Sequence, residues 1–393
     1  MKRVKTLGIG CILAPSLLAF GMSSATANDA LKVGLMLPFS GTYAQLGEAV
    51  ENGFRLYVDQ QGGKLAGKEI QYIKIDDESE PSKGTDNVNK LIHRDNADVI
   101  VGTVHSGVVM AMANAVKSSG TPLIIPHAGT DAVTGPLCAP NIFRSSFSNW
   151  QPAFGAGKLA VEKGYKNIVT VSWKYTAGEE SLRGFKDGLE GSDAKVIEDL
   201  TLPFPNVEFQ TILTQISALK PDAVYAFFGG AGAAKFVRDY AAAGLNRNIP
   251  LIGSGFLTEG VLTAIGSAGD GVETTLHYGD ALDTQQDNDF RDAYQKAYSI
   301  EPDVYAVQGY DAAQMLDHGM RAVSGDIAGD KEKFLKAISG MEVNSPRGKF
   351  RLSEANSPVQ NIYARTVVDG MNKVIGIAAH DVSSPSVGCR MTQ

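Results

Sequence analysis

The 393-residue sequence lacks several features that would mark common functional classes. It has no block of like charge, and 36 Lys and Arg against 43 Asp and Glu give a formal net charge of −7. A nucleic-acid-binding surface is therefore not expected, because phosphate contacts need a clustered basic face. A composition of 44% hydrophobic and 20% charged residues excludes a disordered, collagen-like or disulfide-dense chain. The length instead predicts two compact lobes of roughly 150–200 residues each.

Signatures of catalysis and of metal binding are also missing. No serine lies in a G-x-S-x-G elbow, and the six histidines and three cysteines show no H-x-x-x-H or C-x-x-C spacing. The S-x-x-K match at Ser217–Lys220 lies at a helix end before Pro221, and the Gly229–Gly232 turn lacks the spacing of a dinucleotide-binding loop. The sequence therefore gives no argument for an enzyme, a cofactor or a metal.

The residues at the N-terminus have the pattern of a targeting signal. Three positive charges within the first five residues precede an apolar run from Leu7 to Phe20, and Ala25-Thr26-Ala27 follows. This order is typical of a secretory signal peptide, so residues 1–27 are predicted to be removed and the mature chain to begin at Asn28. A membrane anchor is disfavoured because the apolar run is shorter than the roughly 20 residues that a helical span needs. The mature protein is expected to be exported.

Two cysteines, Cys138 and Cys389, would remain after cleavage. In an oxidising compartment an even number of cysteines usually indicates a disulfide, and two buried thiols are the alternative.

Short β-branched runs alternate with amphipathic segments along the chain. The predicted strands are Leu31–Leu37, Ile70–Ile75, Val99–Val101, Leu123–Ile125, Ile168–Val171, Lys195–Leu200, Ala223–Phe228 and Leu251–Ile252. The predicted helices between them are Gly47–Gln61, Gly84–Arg94, Gly107–Ser119, Ala153–Glu162, Glu179–Leu189, Glu208–Leu219 and Ala233–Ala242. Strands separated by helices of this length predict an α/β fold with parallel sheets flanked by helices.

The loops that follow these strands are the candidate ligand-binding segments, because open parallel sheets bind ligands beyond the carboxyl ends of their strands. These loops are rich in glycine and hydroxyl groups, and they cover residues 38–43, 102–107, 126–130, 173–178, 229–232 and 253–256. Backbone N–H groups and Ser or Thr donors at helix N-termini suit an anion such as a carboxylate.

From Lys32 onward the chain resembles the periplasmic solute-binding proteins of branched-chain amino-acid ABC importers, which are the Leu/Ile/Val-binding-like, type I binding proteins. The segments that carry the resemblance are Val33–Gly41, Asp76-Asp77, Val101-Gly102 with Ser106, Pro126 with Ala128–Thr130, and Tyr305 with Tyr310–Ala312. The resemblance implies two similar α/β lobes with a ligand cleft between them. Residues 28–146 and 278–345 would form the N-terminal lobe, and residues 147–277 and 346–393 would form the C-terminal lobe and tail. It also implies a periplasmic monomer that works with the permease subunits of an ABC transporter and needs no cofactor.

The resemblance also implies which residues hold the ligand. A carboxylate would contact the Ser106 hydroxyl and backbone amide. The Ala128 carbonyl and Thr130 would add further contacts to the ligand, and Tyr175 would reach across from the other lobe. His105 could donate to the carboxylate or to a ring hydroxyl, or it could pack away from the cleft. The full predicted ligand-binding set is His105, Ser106, Ala128, Gly129, Thr130, Trp150, Tyr175, Ala231, Gly255, Phe256 and Tyr305.

Two positions depart from the amino-acid binders of this family. The C-lobe loop that holds their acidic residue for the ligand's α-ammonium has Gly255 here, followed by Phe256, and the tyrosine expected after Gly229-Gly230 is Ala231. Burying an ammonium without a carboxylate partner costs several kcal/mol, so an amino acid fits poorly unless another acid such as Glu259 reaches it.

Two further segments, Thr103–Ser106 and Phe147–Gln151, resemble the subgroup associated with uptake of aromatic acids. The predicted ligand is therefore a small aromatic carboxylate such as benzoate. A branched-chain amino acid or short amide is the alternative ligand, and a sensory or enzymatic use of the fold is a third possibility.

Overall fold

Two sheets, each flanked by helices, organise the chain in the computed structural model, which describes residues 1–4, 30–280 and 282–392. The predicted signal peptide lies almost wholly outside the described residues. Within them, no helix has both the length and the apolar character needed to cross a bilayer.

The first sheet has six strands in the order β2-β3-β1-β4-β5-β6. All of its neighbours pair in parallel except β2 and β3, which pair antiparallel. Its strands are β1 (Leu31–Leu37), β2 (Lys64–Leu65), β3 (Lys68–Asp76), β4 (Val99–Gly102), β5 (Leu123–Ile125) and β6 (Ile142–Arg144).

The second sheet has nine strands in the order β12-β13-β14-β11-β10-β9-β7-β8, with β15 paired to β14. Its strands are β7 (Asn167–Lys174), β8 (Lys195–Pro203), β9 (Ala223–Phe227), β10 (Leu251–Ser254), β11 (Glu273–Leu276), β12 (Glu342–Ser345), β13 (Gly348–Leu352), β14 (Pro358–Val368) and β15 (Met371–Val382). Strands β7 to β11 pair in parallel, whereas every pair that involves β12 to β15 is antiparallel.

The α-helices of the described chain are α1 (Ala44–Gln60), α2 (Pro81–Asn89), α3 (Ser106–Ser119), α4 (Trp150–Glu162), α5 (Thr176–Leu189), α6 (Gln210–Leu219), α7 (Gly230–Ala242), α8 (Leu262–Ile265), α9 (Gln285–Tyr298), α10 (Val304–Ala322) and α11 (Lys331–Ser339). A π-helical turn, Lys90–Arg94, continues α2. Helix α10 packs along α1 on the first sheet, so the chain returns to the first lobe after completing most of the second.

Each predicted strand and helix corresponds to an observed element, and the predicted two-lobe α/β fold is confirmed. Six of the seven predicted helices begin earlier than their apolar pattern predicts, by one to three residues. At the cleft, for example, α3 begins at Ser106 rather than Gly107, and α5 at Thr176 rather than Glu179. The apolar period marks the buried face of a helix, whereas the first turn is set by capping and loop geometry.

Helices cover both faces of the first sheet, which explains why its inner strands β1, β4 and β5 read as continuous apolar runs. Along β1, Val33 and Leu35 join the hydrophobic cluster under α1 and α10, while Met36 joins the cluster under α2 and α3. Phe350 and Leu352 of β13 also enter the first of these clusters. The residue boundaries proposed for the two lobes remain a prediction.

Cys138 and Cys389 form a disulfide with their Cα atoms 5.6 Å apart, so the predicted pairing is confirmed. Nearby, the Thr134 hydroxyl donates to the carbonyl oxygen of Pro385 at 2.8 Å. The disulfide and this hydrogen bond tie the C-terminal tail to the first lobe.

Candidate functional site

A small cavity, with about 30 Å3 of space for the centre of a water-sized sphere, lies between the two lobes. All six loops that the sequence pattern selects contribute to its wall, because the carboxyl ends of the parallel strands in both sheets face each other there. The fourteen lining residues are Tyr43, Leu46, Val104, Ser106, His127, Gly129, Phe147, Asn149, Tyr175, Ala177, Phe227, Gly229, Phe256 and Tyr305.

Seven of the fourteen lining residues carry an aromatic ring. The ring centroids of Phe147 and Phe256 are 4.7 Å apart, and the His127 ring lies edge-on to Phe147, Phe256 and Tyr305 at 5.0–5.3 Å. Phe227 lies edge-on to Phe256 at 6.3 Å. Such a wall offers faces and edges to a flat apolar body.

Ser106 and Tyr305 supply neutral hydrogen-bond donors. Ser106 is the first residue of α3, and its Oγ accepts a hydrogen bond from Asn149 Nδ2 at 3.1 Å, which leaves its own hydrogen free to donate. The Tyr305 hydroxyl is buried without a hydrogen-bond partner, and burial raises the pKa of Tyr305 well above its usual value, so it stays protonated. Together with the positive end of α3, these donors suit an anion.

Charged side chains are absent from the cavity wall, since none of the fourteen described lining residues is Asp, Glu, Lys or Arg. A Cβ at Gly255 would lie 2.6 Å from Arg365 Nη2, so this position points to the second-lobe core and leaves no room for an acid. Glu259 is 1% exposed and is bound in an ion pair with Arg365, outside the cavity. Neither residue can therefore serve as the partner of a ligand ammonium group.

His127 is a cavity residue that the sequence prediction did not include. Its Nδ1 lies 2.7 Å from Gln308 Oε1, and Gln308 Nε2 lies 3.2 Å from Nε2 of the buried His277. Burial lowers the pKa of His127 to about 4, and the hydrogen bond with Gln308 acts in the opposite direction. The imidazole is therefore neutral at physiological pH.

His105 lies next to the cavity but does not line it. Its Nδ1 accepts a hydrogen bond from the Gly107 backbone N–H at 3.0 Å and so caps α3. The ring packs against Tyr43, Tyr175 and Phe204, and burial lowers the pKa of His105 to about 4. The Nε2 atom is buried without a hydrogen-bond partner. Packing and helix capping account for its position.

Thr130 and Ala128 are not among the residues that line the cavity. The Thr130 hydroxyl donates to Glu180 Oε1 at 2.9 Å and accepts from the Ala132 N–H at 3.2 Å, so both of its hydrogen-bonding functions are used within the protein. Ala128 is fully buried behind the wall, where its N–H donates to the Thr103 carbonyl oxygen. Gly129, between them, does line the cavity.

Trp150 and Ala231 lie away from the cavity. The Trp150 ring stacks on Phe154 with centroids 4.5 Å apart, and its indole N–H donates to Asp187 at 2.6 Å, which holds it between α4 and α5. Ala231 is exposed in the first turn of α7. Of the predicted set, Ser106, Gly129, Tyr175, Phe256 and Tyr305 line the cavity, whereas the others take the positions described above.

Polar contacts join the two lobes beside the cavity. The Tyr43 and Tyr175 hydroxyls lie 3.0 Å apart, and Arg183 forms an ion pair with Asp131. Glu180, on α5, accepts hydrogen bonds from first-lobe residues and is itself buried. Burial and then the charge of Asp131 raise the pKa of Glu180 to about 7, against hydrogen bonds that lower it.

Several lining residues were within reach of sequence reasoning. Tyr43 and His127 lie in the selected loops 38–43 and 126–130, and Phe147 and Asn149 lie in the segment Phe147–Gln151, which resembles the aromatic-acid subgroup. Phe227 gives no such signal, because it reads as an ordinary strand residue at the end of β9. Within the described chain, no group of three or more His, Cys, Asp or Glu side chains is placed to hold a metal ion.

Comparison with known proteins agrees with this architecture. A family model described as periplasmic binding protein matches residues 30–372. The "Leu/Ile/Val-binding protein homolog 6" of Brucella melitensis is 28% identical over 352 residues, which cover 88% of this chain and 89% of the relative.

Two crystal structures of ABC transporter solute-binding proteins are also similar. One, from R. palustris and in complex with benzoate, is 51% identical with a TM-score of 0.89, covering 92% of this chain and 99% of that one. The other, from Rhodopseudomonas palustris BisB5 and in complex with 3,4-dihydroxy benzoic acid, is 30% identical with a TM-score of 0.86, covering 91% and 99%. Family match, fold and interlobe cavity agree, and the chain belongs to the periplasmic binding protein family.

Proposed function

We propose that this protein is the substrate-binding component of an ABC importer, which captures a small, benzoate-like aromatic carboxylate and delivers it to the permease. The observation that carries the proposal is the interlobe cavity, which has aromatic walls, neutral donors and no acidic side chain among its described lining residues. The similar R. palustris protein in complex with benzoate supports the same ligand class. Membership in this family confirms the prediction that the chain is a transport component rather than an enzyme.

The cavity walls can supply the binding energy that such a ligand needs. Burying about 200 Å2 of apolar ring surface contributes on the order of 5 kcal/mol, and each ring contact with Phe147 or Phe256 adds about 0.5–1.5 kcal/mol. Hydrogen bonds from Ser106 and Tyr305 to a carboxylate contribute about 1.5–3 kcal/mol each. Micromolar binding is then within reach after the cost of association.

The alternative ligand, a branched-chain amino acid, carries an ammonium group that this cavity cannot pair. Gly255 stands where the family's acidic residue is expected, and Glu259 is occupied by Arg365. A leucine side chain would fit an apolar wall, but its buried ammonium would cost several kcal/mol without a carboxylate. The cavity therefore favours an anion over a zwitterion.

Family membership supports a proposal about location and partners. We propose export through the signal peptide of residues 1–27, action as a periplasmic monomer, and docking to ABC permease subunits. N-terminal sequencing of the exported protein should give Asn28 as the first residue, and sedimentation should give a single-chain mass.

The ligand anchor is tested by replacing Ser106. The Ser106→Ala protein should bind benzoate about tenfold more weakly or worse than wild type, because it loses a hydroxyl donor to a charged carboxylate. Calorimetric titration measures both affinities. Ser119→Ala, at the last residue of the same helix and about 20 Å from Ser106, should leave the affinity unchanged. Equal benzoate affinity in wild type and Ser106→Ala would remove Ser106 from the site, and an absence of benzoate binding in wild type would refute the proposed function.

A further inference from the structure

Glu180 belongs to the second lobe, yet its carboxylate is held by groups around the ligand cavity. Its Oε1 accepts hydrogen bonds from the Thr130 hydroxyl and the Asp131 backbone N–H, both at 2.9 Å. Its Oε2 accepts from Asn149 Nδ2 at 2.7 Å. Three donors thus point at one buried carboxylate, which accepts from all of them as an ionised group does.

The same Asn149 amide group connects Glu180 to the cavity. Asn149 Nδ2 also donates to Ser106 Oγ at 3.1 Å, and both Asn149 and Ser106 line the cavity. We propose that Glu180 is a positioning residue that sets the direction of this hydrogen-bond chain, so that the Ser106 hydroxyl donates to an anionic ligand rather than accepting from a neutral one. This inference rests on the proposed function, because it assigns a cause to the cavity's preference for a carboxylate.

The direction follows from which atoms can donate. Glu180 lies among three donors and, once ionised above its pKa of about 7, can only accept, so Asn149 turns its NH2 group towards Glu180 and Ser106. Ser106 Oγ accepts that hydrogen bond, and its single hydrogen is then left for the cavity. Ser106 therefore presents a donor to the ligand.

Replacing Glu180 by glutamine should reverse the direction of the hydrogen-bond chain from Glu180 through Asn149 to Ser106. The Asp131 N–H is a fixed backbone donor, so the glutamine carbonyl oxygen must stay on Thr130 and Asp131, and its NH2 group must face Asn149. Asn149 then turns its oxygen to the glutamine and to Ser106. The Ser106 hydrogen bonds to that oxygen, and Ser106 presents its lone pairs to the cavity.

The test compares benzoate with benzamide, which has nearly the same shape but carries an NH2 donor and no charge. In Glu180→Gln, benzoate affinity should fall about tenfold or more, whereas benzamide affinity should stay equal or rise. The ratio of the two affinities is the readout, because a loss of packing or of lobe contact would weaken both ligands together. Glu179→Gln, an exposed acid next in sequence with the same change of charge, should leave the ratio unchanged.

The outcomes distinguish a failure of the proposed role of Glu180 from a failure of the proposed function. Suppose that wild type binds benzoate, and that Glu180→Gln lowers the affinity for both ligands equally or for neither. The proposed role of Glu180 is then wrong, and the proposed function stands. If wild type binds no aromatic acid, the proposed function is wrong and the inference that rests on it fails with it.

Should Glu180→Gln not fold, a second variant tests the same role. Asn149→Leu removes the donor between Glu180 and Ser106 at similar volume, and it should lower the ratio of benzoate affinity to benzamide affinity several-fold. An unchanged ratio in that variant would likewise overturn the role of Glu180.

Discussion

Replacing both Cys138 and Cys389 by serine should lower the free energy of unfolding by about 4–5 kcal/mol. The disulfide joins residues 251 positions apart, so its loss frees a long loop in the unfolded chain, and the entropic stabilisation of such loops is about this size. Urea unfolding of the wild-type protein and of the double variant measures the difference.

Reductant supplies the control for the disulfide. It should destabilise wild type to the level of the double variant and leave the double variant unchanged, since only wild type has a bond to reduce. Two freely alkylated thiols in protein purified from the periplasm would show that the disulfide does not form. Equal unfolding free energies for wild type and the double variant would show that it does not stabilise the folded protein.

Arg365→Met should destabilise the second lobe by about 3–5 kcal/mol, because it leaves the buried Glu259 carboxylate without its partner. The guanidinium also donates to the Tyr278 carbonyl oxygen at 2.8 Å and to the Thr274 hydroxyl at 3.0 Å, and both acceptors would lose that donor. Urea unfolding near neutral pH should show the loss. Arg351→Met, on the exposed side of β13, should change the stability by less than about 1 kcal/mol.

The destabilisation by Arg365→Met should depend on pH. Burial raises the pKa of Glu259 to about 7 even though Arg365 lowers it, and removing Arg365 raises it further. When the pKa of a carboxyl group is higher in the folded state than in the unfolded state, the folded protein becomes less stable as pH rises through the folded-state pKa. The difference between variant and wild type should therefore be larger at about pH 8 than at about pH 6. A loss no greater than that of Arg351→Met would show that the ion pair has little effect on stability.

The fold could be predicted from the sequence because the hydrophobic periodicity of a strand or helix is set by neighbouring residues. Strand β1 was predicted with its observed bounds, since its residues are covered on both faces and read as one apolar run. The antiparallel strands β12 to β15 were not predicted, because their pairing depends on partners that are distant in sequence, such as β11 with β14.

The site was predictable only in part. The carboxyl-end rule located the right loops, and Ser106 and Phe256 line the cavity as expected. The rule cannot tell which way a side chain in such a loop points. Thr130 turns to Glu180 and Trp150 turns to Asp187, and in each case the deciding partner comes from helix α5. The Glu180–Asn149–Ser106 chain has no sequence signature, because its members meet only when the two lobes pack together.

The cavity between the lobes should select an aromatic carboxylate over an amino acid. Parallel calorimetric titrations of the protein with benzoate and with leucine measure this selectivity. We expect benzoate to bind at one site per chain with a micromolar or lower Kd, and leucine to give no heat of binding at millimolar concentration. Micromolar leucine binding together with no heat from millimolar benzoate would contradict the account.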